Sequence, residues 1–365
     1  LPDGVLPVTV TVTDTADNQS TGQGSFEAII NALPQANYVT PFGDFTINSA
    51  ETKSDQLITG NTGVIGTGQT VSVVLGTKTY TGTVNENGDW TVTVPQADLA
   101  ALSDNDSLPF SVTVSDRAGN TATTDAQQTP DVTVHTALPA PTVTNPFGDS
   151  IVNISEAAGE VTLAGLTGAT GPNQYVTVKI DVDGVTYTAN VDANGNWSVV
   201  LPAGTLQSLA PGEHEISIYA EDQYGNSNTS TVEYQVALTP PSVTITAPVF
   251  ADGYVSAAEA AAGTTLSGTF STSYPANAQV KVTIGDQTFN ATVNGNQWTL
   301  AMYADYWSSI TARGQQSVTV SVTDGAQNVG TASITTTLLL DPPTVSVTAP
   351  FAGDNLLDFA ESQTS

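Results

Sequence analysis

Three sequence landmarks recur along this chain with one shared period of about 100 residues, which leaves room for little but a row of similar small domains. The first is an alternating apolar run that ends in Asp and closes on Asn four residues later. Its copies are VTVTDTADN at Asp14, VTVSDRAGN at Asp116, IYAEDQYGN at Asp222 and VSVTDGAQN at Asp324, spaced 102, 106 and 102 residues apart. The second reads PFGDFTINSAE, PFGDSIVNISE, VFADGYVSAAE and PFAGDNLLDFAE. In it Asp44, Asp149, Asp252 and Asp354 each stand seven residues before Glu51, Glu156, Glu259 and Glu361. The third is a Trp after a polar turn, in NENGDW (Trp90), DANGNW (Trp197) and NGNQW (Trp298).

Pro-bearing linkers at Leu138-Pro139-Ala140-Pro141, Thr239-Pro240-Pro241 and Asp341-Pro342-Pro343 divide the chain in the same rhythm. Complete repeats are expected over residues 35–138, 139–239 and 240–340. Residues 1–34 read as the last two strands of a preceding repeat, and 341–365 as the opening of a following one. In the second repeat the strand pattern is legible: Thr142–Thr144, Glu160–Leu166, Tyr175–Val182, Val185–Val191, Trp197–Leu201, His214–Ala220 and Asn228–Val236. Seven short strands with turn signals between them describe a β-sandwich of immunoglobulin size. A single helical turn is expected between Asp149 and Ala158. The expected class is all-β, with tandem Ig-like β-sandwich domains in an elongated rod. Val- and Thr-rich strands beside Asn-, Gly- and Asp-rich turns agree with it.

Charge narrows the partners. The 35 acidic residues outnumber 6 basic ones, for a formal net charge of −29. Phosphate recognition needs a basic stripe, so nucleic acid is excluded, and an anionic membrane surface repels the chain for the same reason. No cysteine is present, which rules out disulfides and thiolate metal sites. No apolar stretch reaches transmembrane length, so no direct membrane insertion is expected. The first residues, Leu1-Pro2-Asp3-Gly4, lack the basic start of a secretion signal and read as internal to something longer.

The acids that recur carry the candidate chemistry. The Asp14, Asp116, Asp222 and Asp324 loops are tight turns in which Asp caps backbone amides and Gly119 or Gly225 supplies a positive φ. That role leaves a spare carboxylate at the pole of a sandwich that faces the preceding domain, where Asp131 and Asp341 also stand. Oxygen ligands with no Cys and only two His suit Ca²⁺ far better than Zn²⁺ or copper. The Asp/Glu motif adds carboxylate pairs with Asn48, Asn153, Ser256 or Asp358 between them. The competing reading is a capping box, which Asn153/Glu156 and Ser256/Glu259 fit.

The remaining motifs carry less. Trp90, Trp197 and Trp298 read as core anchors paired with Tyr80, Tyr187 and Phe289. Trp307 takes the place held by Leu99 and Leu206 and reads as core, while Tyr303 and Tyr306 read as surface aromatics. Asp181-Val182-Asp183-Gly184 and Asp192-Ala193-Asn194-Gly195 resemble the start of an EF-hand loop but fall where hairpin turns belong. His135 and His214 are far apart in sequence, and no nucleophile elbow, HExxH or P-loop occurs. An enzyme is not expected.

The joint recurrence of VTVxDxxGN, a Pro linker, PFGDxxxNxxE and a turn-Trp resembles the bacterial Ig-like repeats of giant adhesins exported by type I secretion. The resemblance implies a secreted or bacterial cell-surface protein, monomeric, whose neighbouring repeats share Ca²⁺ ions at their joints and so stiffen a stalk. Its implied ligands are Asp14, Asp116, Asp222 and Asp324 with Asp44, Asp149, Asp252, Asp354 and their Glu partners. It also implies attachment to host cell-surface glycans through the full-length protein. Two rivals stand beside it: a lectin-like module that stacks sugars on Tyr303, Tyr306 or an exposed Trp, and a stalk attached to a catalytic domain.

Overall fold

The computed structural model describes residues 1–125, 127–169, 173–180, 185–247, 250, 252–341, 343–347, 359 and 362. The Asp181–Gly184 turn, Asp354, Asp358 and Glu361 lie outside them. The chain is all-β, a series of Ig-like sandwiches, and among the described residues the apolar side chains form three separate clusters, one in each sandwich.

The second and third sandwiches share one plan. In the third, one sheet runs in the order Ser242–Ile245, Thr264–Ser271, Gln297–Met302, Thr292–Asn294. The facing sheet runs Tyr254–Ser256, Val329–Leu339, Gly314–Thr323, Gln279–Ile284, Gln287–Asn290. The opening strand thus changes sheets. Its first part pairs antiparallel in one, and its second part pairs parallel with the closing strand in the other, with Tyr254 opposite Thr337 and Ser256 opposite Leu339. Alternate residues of each strand point inward, which is why Val280, Val282, Ile284 and Val318, Val320, Val322 are all buried.

The first sandwich departs from this plan. Its Lys78–Val84 strand pairs with Thr70–Leu75 and also with Asp89–Val94, so seven strands join into one sheet beside a three-stranded one. Its closing strand is broken into Thr121–Thr123 and Val132–His135. From Asp116 to His135 the chain is four residues longer than from Asp222 to Ala237, which accounts for the one long spacing between loops.

Each Trp is a core anchor. Trp90, Trp197 and Trp298 are fully buried, with Tyr80, Tyr187 and Phe289 packed against the same clusters. Every ring lies over a glycine in the neighbouring strand. A Cβ on Gly60, Gly165 or Gly268 would sit within 3.0 Å of ring atoms and within 2.1 Å of the carbonyl of Asn37, Thr142 or Thr244. Trp307, on the short helix Ala304–Ser309, is buried against Phe250, while Leu99 and Leu206 are buried in the other two cores.

Ahead of the three sandwiches, Gly4–Thr13 and Gln19–Ala28 form an antiparallel hairpin around the Asp14 turn, with Val5, Val10, Val12 and Phe26 exposed. Among the described residues no helix is long and apolar enough to cross a membrane.

Candidate functional site at the joints between repeats

The four Asp loops are one structure built four times. Asp116 Oδ1 accepts the amides of Ala118 (2.8 Å) and Asn120 (2.9 Å), and its Oδ2 accepts Asn120 Nδ2 (2.7 Å). Asp14 and Asp222 bind their loops in the same way, and Asp324 Oδ1 accepts Ala326 and Asn328. The fourth residue is left-handed in every copy: Asp17, Gly119, Gly225 and Gln327. Glycine meets that requirement at no steric cost; Asp17 and Gln327 hold it with a Cβ. The carboxylates are therefore largely occupied inside their own turns. Asp324 Oδ2 accepts a further bond from the Thr272 hydroxyl (2.6 Å).

The same turn occurs away from the joints. Asp192 accepts the amides of Asn194 and Asn196 and the Asn196 side chain, and this loop joins two strands of one sheet. In the first sandwich the end residues are exchanged: Asn85 caps Asn87 and Asp89, and Asn85 Nδ2 donates to Asp89 Oδ2 (3.2 Å). The turn accepts either order.

The second motif is also one structure repeated. Asp44, Asp149 and Asp252 each accept the amide two residues on. Asn153/Glu156 and Ser256/Glu259 form complete capping boxes on the short helices Ile154–Ala158 and Ala257–Ala262. Asn48 and Glu51 make the same reciprocal bonds on the 3₁₀ turn Glu51–Lys53. The caps are real, yet their acids are half-buried rather than exposed. Burial pushes the Glu51 carboxyl up, the Asn48 amide pulls it back, and the nearby Asp44 charge adds to the upward push. Glu156 is raised by burial and by Asp149 in the same way. Among the described residues the ion pairs are Lys78–Asp98, Arg117–Glu27 and Arg313–Asp341, so neither Glu has a cationic partner there.

The two motifs meet across both joints between sandwiches. Asn226, in the second sandwich, donates Nδ2 to the His135 carbonyl (2.8 Å) and accepts the Ser49 amide at Oδ1 (2.7 Å), both in the first. Asn328, in the third, donates to Ala237 (2.7 Å) and accepts the Ile154 amide (2.9 Å), both in the second. Asn120 donates to Ile29 beyond the hairpin (2.9 Å). At the middle joint the His135 and Tyr224 rings stack, with centroids 3.7 Å apart and planes 7° apart. The linker after His135 is tied down by Asp104, whose Oδ1 accepts Thr136 and Ala137; those amides hold its carboxyl below the usual range.

The expected ligands therefore divide. Asp44 with Glu51, and Asp149 with Glu156, come together beside the incoming loops of Asp222 and Asp324. Asp131 instead accepts the Ser107 hydroxyl, and Asp341 pairs with Arg313. Asp14 lies exposed on the hairpin turn. Oxygen donors, a raised carboxyl and a second acid without a cation suit a hard divalent ion. Among the described residues no three acidic or His side chains cluster at metal-holding distance. An ion at a joint would thus complete its shell from amide oxygens, carbonyls and water. The sequence reading missed the Asn side chains, although the fixed fifth position in all four loops was a visible signal.

Comparison with known proteins matches residues 146–237, within the second sandwich, to the bacterial Ig-like domain family. No curated protein matches the chain. Among solved structures it is similar to a Ca²⁺-stabilised adhesin with which an Antarctic bacterium reaches out and binds ice (29% identity, 92% of this chain and 81% of that one, TM-score 0.39). It is also similar to part of a 1.5-MDa bacterial ice-binding adhesin (26% identity, 84% and 98%, TM-score 0.41). A tetra-tandem repeat from the extending region of a large adhesion protein shares 22% identity over 93% of this chain and 83% of that one (TM-score 0.34).

Proposed function

We propose that the chain is a calcium-stiffened stalk segment of a giant secreted bacterial adhesin, organised as the repeats 35–138, 139–239 and 240–340. In this reading the stalk spaces a binding end from the cell and contributes to attachment to host surface glycans through the full-length protein. The observation that carries it is the recurrent joint, where the Asp222 and Asp324 loops each dock beside the half-buried Asp/Glu pair of the sandwich before. The pattern of motifs most resembles the giant non-fimbrial adhesin of Salmonella near its C-terminal end.

Asp44 and Glu51 with Asn48 would hold an ion at one joint, and Asp149 and Glu156 with Asn153 at the next, each beside the docked loop of Asp222 or Asp324 and with carbonyls and water filling the rest of the shell. The ion supplies positive charge where two acids otherwise repel. With free Ca²⁺ 10- to 100-fold above its Kd, mass action stabilises each bound joint by about 1.4–2.7 kcal/mol. That is enough to set a hinge without being needed to fold a core. Small-angle scattering in Ca²⁺ and in EGTA tests this, with calorimetric titration to count ions per joint. A longer maximum dimension in Ca²⁺ is expected; an unchanged one refutes the stiffening.

A lectin-like reading keeps one favourable observation. Tyr303 and Tyr306 are 65% and 41% exposed, and Tyr306 stacks on Phe289 at 4.9 Å. Binding of this chain to a glycan array, lost on Tyr303→Ala, would favour it over a pure stalk.

A further inference from the structure

Turn geometry accounts for the left-handed fourth position of each joint loop, and it does not account for the amide at the fifth. The capped five-residue turn forms at Asp192–Asn196 with no neighbouring repeat against it. It forms again at Asn85–Asp89 with the acid and the amide exchanged. Local folding thus tolerates Asp or Asn at either end. Yet Asn18, Asn120, Asn226 and Asn328 all place the amide last.

The joints supply the reason. Asn226 and Asn328 are 2% and 3% exposed. Each presents a donor and an acceptor outward, and each finds both partners on the preceding sandwich. The donor reaches the backbone carbonyl 91 residues earlier at all three joints. The acceptor takes the amide that follows Asn48 or Asn153. At Asn120 and Asn226 the loop's own Asp holds the second Nδ2 hydrogen, which fixes which way the amide faces. An Asp in the fifth position could keep the turn but has no hydrogen to give the carbonyl. Both receptor atoms belong to the backbone, so the residues carrying them are free to vary. They are Ile29, His135 and Ala237 for the carbonyl, and Ser49 and Ile154 for the amide.

We infer that the side-chain amides of Asn120, Asn226 and Asn328 are latches that set the relative orientation of successive repeats without any cation, each reading only the backbone of the repeat before it. The latch shares its joint with the stalk reading but does not depend on the ion. At Asn120 and Asn226 the loop Asp is then a positioning residue that orients the amide as well as capping the turn.

The test uses the whole chain, whose lack of cysteine allows two labels at will. Thr91→Cys and Ser198→Cys, both on exposed strand positions of the first and second sandwiches, carry spin labels for pulsed electron-spin distance measurement in EGTA. The decisive variant is the exchange Asp222→Asn with Asn226→Asp, which copies the order found at Asn85–Asp89. It keeps the turn and removes the donor. The expected result is a narrow distance distribution in the parent and at least a doubled width in the exchanged variant. Thermal unfolding of the second sandwich should change little between the two. Asn196→Ala, in the matching turn away from the joint, should leave the width alone. A parent already broad in EGTA overturns the latch even if Ca²⁺ narrows it, and so does an exchanged variant as narrow as the parent. A narrow parent that Ca²⁺ does not alter removes the ion's role and leaves the latch standing.

Discussion

Gly268→Ala isolates the contact between the buried indole and the neighbouring strand. The added methyl would lie 2.0 Å from the Thr244 carbonyl oxygen and 2.6 Å from Trp298 Nε1. Ordinary contact needs more than 3 Å, so either the edge strand Ser242–Ile245 lifts or the fully buried ring moves. Lifting the strand breaks the indole bond to Thr244 (3.2 Å), worth about 1 kcal/mol. Strain from overfilling a packed core adds about 1–3 kcal/mol. Replacing a strand glycine returns about 0.5–1 kcal/mol through the unfolded chain. The net loss is about 1–3.5 kcal/mol, which for a domain of this size lowers Tm by about 5–25 °C. Because the three cores are separate, scanning calorimetry of the whole chain should show one transition move and the others stay. Thr265→Ala, exposed three residues away, serves as the control and should stay within about 0.5 kcal/mol of the parent. If Gly268→Ala melts like that control, the indole-over-glycine argument is wrong.

Two further outcomes follow from the joints and turns. Glu51→Gln keeps the acceptor for the Asn48 amide and removes a carboxylate whose pKa is raised in the folded state. A raised folded pKa penalises the charged form at neutral pH and ceases to do so as pH falls through it. In EGTA the variant should therefore melt higher than the parent at pH 7 and converge with it on acidification; a lower melting point at pH 7 refutes the account. Asn85→Asp alone turns the Asn85–Asp89 bond into a repulsion and should cost about 1 kcal/mol. Adding Asp89→Asn rebuilds the order seen at Asp192–Asn196 and should restore the first transition in the same calorimetric trace.

Much of the fold was legible because its signals are local. The Asp turns, the capping boxes at Asn153 and Ser256, and the Leu99/Leu206/Trp307 equivalence all rest on residues a few positions apart. The glycine beneath each Trp was not legible, since Gly60, Gly165 and Gly268 lie about thirty residues upstream of the ring they accommodate. The break in the first closing strand was hidden as well, because Thr121–Thr123 and Val132–His135 each look like part of one run. At the candidate site the acids drew the eye because charge is conspicuous in a sequence. The neutral Asn beside them makes hydrogen bonds that cross from one sandwich to the next. Its partners are backbone atoms, which leave no trace in the identity of the residues that carry them.

The sheet-switching of each opening strand has a mechanical consequence. Its second part runs parallel to the closing strand of the same sandwich, at Thr46–Asn48 with Thr133–His135, Ile151–Val152 with Gln235–Val236, and Tyr254–Ser256 with Thr337–Leu339. These two strands sit near the points where the chain enters and leaves the domain. A pull on the two ends therefore drags them past one another, and tension falls on all the bonds of the patch at once. Such a patch gives way by sliding as a block, not by opening one bond at a time like a zip.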